Sequence, residues 1–165
     1  MNKKAIKAII ICGALVMSVV TVTIYATSGQ SAGGSGGGRI AGTWNVRVDI
    51  TNCQNGAVIR SFDSVGSFHQ GGTMIDSTSG IRQELKTPGH GVWSHTSGNR
   101  YSFRFKSFSF DPAGTYTGYT IIQHEADLDA SGDEYSSEGT AEIYTPNGAL
   151  VGTGCSATTA TRFSL

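Results

Sequence analysis

The chain has 165 residues, with 12 basic and 12 acidic side chains, 23 glycines and 3 prolines. So little proline excludes collagen and Pro-rich linkers, and a charged fraction of 15% excludes a disordered polyelectrolyte. The balance of charge leaves no overall field that would gather nucleic acid.

Lys3, Lys4 and Lys7 precede an uncharged, mainly apolar run of 19 residues, 8–26. This is the pattern of an export signal, with cleavage expected after Ala26. The run also approaches the length of a membrane span, so an uncleaved anchor is the alternative. Either reading puts the rest of the chain outside the cytoplasm. It is then secreted or periplasmic, or membrane-anchored through its N-terminus. Residues 27–39 contain Gly33-Gly34-Ser35-Gly36-Gly37-Gly38 and read as a flexible linker. The folded domain is expected over 40–165. Beyond residue 26 there are 9 basic and 12 acidic residues, a formal charge of 9 − 12 = −3. Nucleic acid is not an expected partner, and a membrane is one only if the first segment is retained.

From Ile40 onward the hydrophobic period is two. Trp44, Val46, Val48 and Ile50 alternate with polar residues, the mark of a strand with one apolar face. Tyr101, Phe103 and Phe105 alternate likewise. Phe108 and Phe110 follow on the opposite parity, so a β-bulge near Lys106-Ser107 is expected to return them to the same face. Tyr116, Ile122, Ala126 and Leu128 share one parity; Tyr135, Ala141 and Ile143 share the inward parity of the next strand. Turn signals such as Gln54-Asn55-Gly56, Gly71-Gly72, Asp111-Pro112-Ala113-Gly114 and Pro146-Asn147-Gly148 separate the runs. The pattern predicts strands at 40–52, 57–70, 73–79, 91–97, 100–111, 115–129, 133–145 and 149–163. Residues 81–86 read as a loop with at most one helical turn. Short spacers imply hairpins, hence an all-β antiparallel meander of eight strands, open or closed.

Cys53 ends the first strand and Cys155 lies in the last. An exported domain with two cysteines is expected to join them. The bond would tie the first strand to the last, which favours an up-and-down closed barrel. If the two cysteines were opposed, paired positions would sum to 208. Trp44 would then face position 164, one step from Arg162.

Gly42-Thr43-Trp44 resembles the G-x-W signature of lipocalins and the wider calycin group. In those barrels a basic residue near the chain end packs across the tryptophan, and Arg162 stands in the matching place. Residues 40–45 also resemble the first strand of avidins. No ligand-binding residue carries over from either group. The resemblance implies a small calycin-like barrel with a central cavity. A second likeness, at fold level alone, is to barrels of the allene-oxide-cyclase and dirigent type.

No motif for a nucleophile, phosphate loop or zinc site is present among the four histidines, the serines or the cysteines. No catalytic residue, metal ligand or cofactor is assigned. Asp127, Asp129 and Asp133 around Ser131-Gly132 lack the terminal glutamate of a calcium loop and read as a solubilising turn. Parity instead assembles a lumen. Trp93, His95, Tyr101, Phe103, Phe105, Tyr116, His124 and Tyr135 are expected to face it. Small residues from the last two strands stand opposite: Ser137, Gly139, Ala141, Gly152, Gly154, Ser156, Thr158 and Ala160. Aromatics on one wall and small residues on the other either interlock or leave a cavity. The expected function is that of an exported, lipocalin-like, non-enzymatic barrel that binds a small, partly hydrophobic ligand. The alternatives are a lumen cyclase or isomerase using His95 or His124, and a packed structural or protein-interaction barrel.

Overall fold

A computed structural model describes residues 38–165; the signal or anchor segment and all but the end of the Gly/Ser linker lie outside them. No helix among the described residues is long and apolar enough to cross a membrane. The strands are β1 (Gly42–Thr51), β2 (Val58–His69), β3 (Thr73–Thr78), β4 (Gly89–Ser97), β5 (Arg100–Phe110), β6 (Tyr116–Leu128), β7 (Glu134–Tyr144) and β8 (Leu150–Arg162). They pair in chain order and β8 returns to β1, giving a closed antiparallel up-and-down barrel. A single 3-10 turn, Gln83–Leu85, interrupts the longest connection.

The turns are built from their own side chains. Asn52 Oδ1 accepts the Gln54 amide at 2.8 Å, and Asp111 Oδ1 accepts those of Ala113 and Thr115, both at 2.9 Å. Asp129, proposed above as part of a solubilising turn, gathers the amides of Ser131, Gly132, Asp133 and Glu134. These bonds, with the Ser131 hydroxyl contributing most, hold its carboxyl well below the usual carboxylate range.

The seam between β1 and β8 departs from the expected register. Trp44 pairs directly with Arg162 and Thr51 with Cys155, so the positions sum to 206. Cys53 lies two residues beyond the last pair and reaches Cys155 diagonally, across a Cα–Cα distance of 5.3 Å, to form the disulfide. A disulfide needs facing Cβ vectors rather than opposed ladder positions. The shift puts Arg162 over Trp44, its guanidinium carbon 4.2 Å from the ring centroid.

The expected bulge at Lys106-Ser107 is absent. β5 pairs regularly with β6 as far as Ser109, and the register shifts between Ser109 and Phe110. Ser107 therefore points inward and is buried, while Phe108 is exposed. On the partner strand the irregularity falls next to Gly118, whose φ is 138°. Tyr116, beyond it, leaves the parity of Ile122 and packs against Phe108 and Phe110.

One end of the barrel is plugged. Ile40 and Trp44 are fully buried there with Phe68, Tyr101, Leu128, Tyr135 and Ala160. Trp44 Nε1 donates to the Ile40 carbonyl at 2.9 Å and stands edge-on to Tyr135, with ring centroids 4.9 Å apart. Arg162 seals this end by donating to the carbonyls of Arg39, Ala41 and Gly132 at 2.6–3.0 Å.

Candidate functional site

Above the plug the interior is hollow. A cavity of about 340 Å³ extends towards the end where β1 finishes. This is within the size range of small-molecule pockets. Its wall is mainly apolar: Val46, Val48, Phe62, Phe68, Met74 and Ile122 are representative, joined by Phe103 and Phe105. Residues 79–88 fold over its rim. Ile81 and Lys86 from that segment line the cavity, Lys86 bridges to Ser109, and Thr87 exchanges hydrogen bonds with Phe108.

The small wall is where the sequence pattern puts it. Ala141, Gly154, Ser156 and Thr158 border the cavity. A Cβ added at Gly154 would meet no heavy atom within 4 Å, so the void reaches this backbone. Gly139 has a different role. A Cβ there would lie 2.4 Å from the His124 ring and 2.0 Å from the Gln123 carbonyl oxygen. Only a residue without a side chain lets the imidazole lie flat across β7.

Of the eight expected lumen residues, Phe103, Phe105, His124 and Tyr135 line the cavity. Trp93 and Tyr101 belong to the plugged end. Trp93 donates to the His69 carbonyl at 2.9 Å, and its ring sits 5.9 Å from that of Tyr101. His95 is exposed, with Nε2 2.8 Å from the Gly98 carbonyl oxygen. Tyr116 lies with Phe108 and Phe110 and is not in the cavity wall.

His124 is stacked on Phe103, with centroids 5.3 Å apart and planes 18° from parallel. Its Nδ1 shares a 2.8 Å hydrogen bond with Ser137 Oγ, and its Nε2 a 2.9 Å bond with Ser156 Oγ. Ser137 continues to Thr158 at 2.6 Å. Burial pushes the imidazole pKa down to about 4. At neutral pH it is an uncharged, fully bonded ring and offers no free nitrogen to a substrate.

A second polar group in the lumen escaped the sequence reading. Asp76 on β3 faces inward beside Met74, and Lys86 reaches it from the rim segment. Their side chains are 14% and 10% exposed. Asp76 Oδ2 accepts the Ser64 hydroxyl at 2.5 Å, whereas Oδ1 stands 3.9 Å from Lys86 Nζ, too far for a direct hydrogen bond. Burial raises the Asp76 pKa against the pull of Ser64 and Lys86. Burial lowers that of Lys86, opposed by Asp76. Tyr135 completes the group. It is 5% exposed, and its hydroxyl bonds to no described residue. Burial, then the Asp76 charge, drive its pKa far above the ordinary phenol value.

Among the described residues no group of three or more His, Cys, Asp or Glu side chains could hold a metal ion. Compared with protein-family models, curated proteins and solved structures, the chain has no match.

Proposed function

We propose that this is an exported, calycin-like barrel that binds a small, partly hydrophobic molecule in its lumen. One observation carries the reading: a cavity of about 340 Å³ with an apolar, aromatic-rich wall and a few inward polar groups. The Trp44–Arg162 stack beside Gly42 supports the calycin resemblance, and the Cys53–Cys155 bond supports an oxidising compartment. The acid–base alternative draws no support from the histidines, because His124 has both nitrogens engaged and His95 is outside the cavity.

The test uses N-phenyl-1-naphthylamine, a neutral probe that brightens in apolar surroundings. Wild-type barrel is expected to brighten it saturably. Gly154→Phe, which projects a ring into open lumen, is expected to keep the β spectrum and lose the signal. Equal brightening by the two proteins would place the probe elsewhere and remove the support. Native mass spectrometry of protein purified from its own host then looks for a retained molecule.

A further inference from the structure

We propose that Ser64, Asp76, Lys86 and Tyr135 form the polar anchor of the lumen, and that it selects a neutral, largely apolar ligand bearing a hydroxyl group. The proposal rests on the reading of the lumen as a binding site and names the chemistry that site takes.

The anchor has unused hydrogen-bonding capacity on three sides of one space. Asp76 Oδ2 is occupied by Ser64, while Oδ1 accepts no hydrogen bond from a described residue. The Lys86 ammonium carries three donors, and among the described residues its hydrogen bond is a long 3.4 Å contact to the Thr87 carbonyl. The Tyr135 hydroxyl has no hydrogen-bond partner among the described residues, although the residue is only 5% exposed. All three residues line the cavity, and a ligand that enters it can take up this capacity.

The gap sets the identity of that partner. An oxygen about 2.8 Å from each can bridge two atoms 3.9 Å apart. It must donate to a carboxylate and accept from an ammonium or a phenol. A hydroxyl does both. Charge narrows the choice further. Asp76 and Lys86 cancel at the anchor, and Arg60, the other charged residue of the wall, is exposed and stacked on Phe62, so a charged headgroup at the anchor finds no net charge to answer. A ligand carboxylate would lie against Asp76, and a ligand ammonium against Lys86, each desolvated beside a like charge. The rest of the wall is mainly apolar, and its His124, Ser156 and Thr158 are already joined in one hydrogen-bonded chain through Ser137, so it suits an apolar body.

The experiment compares four probes on one ring system, titrated by calorimetry and probe fluorescence at neutral pH: 1-naphthol, naphthalene, 1-naphthoate and 1-naphthylmethylammonium, whose alkyl amine keeps its charge. Wild-type protein is expected to bind naphthol at least about tenfold more tightly than naphthalene, as hydrogen bonds to charged groups allow. Both ions should bind more weakly than naphthol. Tyr135→Phe deletes an oxygen without a partner among the described residues and leaves the ring packing, so folding is expected to survive; it should narrow the naphthol preference. Asp76→Asn, isosteric, should narrow it further. If naphthol and naphthalene bind alike to wild type, the anchor is refuted and the lumen reading stands. If naphthoate or the ammonium binds best, the anchor selects charge and the proposal falls. If none of the four binds, both the proposal and the reading beneath it fail.

Discussion

His124 shows how one buried side chain can set the acid limit of the fold. Its unfolded pKa is about 6.5, and the folded value is pushed down to about 4. The native state thus binds fewer protons than the unfolded chain between those values. Stability is lost as pH falls through that window, and the loss levels off below the folded value. From pH 7 to pH 4.5 the cost assigned to this ring is about 2–3 kcal/mol. Asp76 acts in the opposite sense. Its folded pKa is raised, so the stability it contributes is present at low pH and lost as pH rises through that value. Urea unfolding at the two pH values should show a smaller acid loss in His124→Gln, which keeps hydrogen-bonding groups near Ser137 and Ser156 but cannot titrate. An unchanged loss would assign the acid sensitivity to other groups. The inward direction of His124 is legible from its spacing with Ile122 and Ala126. So, in principle, is that of Asp76, which shares parity with Met74. The signal there is blurred by Ile75, an apolar residue on the outer face that is 37% exposed. Lys86 leaves no trace in the pattern, because it comes from a connection without strand periodicity.

At the scale of the element, alternation fixes which face a residue takes but not its height along the barrel axis. Height depends on register between neighbours, and register is a property of pairs of strands. This is why Trp93, Tyr101 and Phe103 all face inward while Phe103 alone of the three reaches the cavity. Tyr116 fails for a related reason: the irregularity at Ser109/Phe110, opposite Gly118, breaks its parity with the rest of β6. The first strand was more legible because Gly42, Trp44 and Arg162 act together. Gly42 has φ at 138°, and a Cβ there would lie 2.5 Å from Arg162 Nη1. Both the backbone and the guanidinium require glycine. Gly42→Ala is expected to destabilise the barrel by about 2–3 kcal/mol, combining backbone strain with overpacking. Arg162→Ala removes the clash but leaves the strain. The double variant should therefore lose less stability than the sum of the two single changes, measured by denaturant unfolding. Strict additivity would mean that Gly42 does not serve Arg162.

The eight strands form a sheet without edges, and its closure rests on two separate devices. One is the β1–β8 ladder, continuous from Trp44–Arg162 to Thr51–Cys155. The other is the Cys53–Cys155 bond, which spans 102 positions of sequence yet sits just past the end of that ladder. The ladder and its packing act in the folded state. The covalent bond acts mainly on the unfolded chain, where closing a loop of this length removes conformational freedom equivalent to about 4–5 kcal/mol in the chain-entropy model. The two contributions should separate experimentally. Cys53→Ser/Cys155→Ser is expected to retain the far-UV spectrum of an all-β barrel and the near-UV signature of buried Trp44, because neither sulfur touches the plug. Its denaturant midpoint should fall by an amount worth several kcal/mol, with a slope that rises as the unfolded chain expands and exposes more surface. Lumen binding should persist, since Cys155 is only one part of the cavity wall. A protein of this size has a total stability of about 5–15 kcal/mol, so the loss is a large and measurable fraction of it. Collapse of the near-UV signal in the unbonded variant would show instead that the ladder cannot hold β1 against β8 without the covalent link.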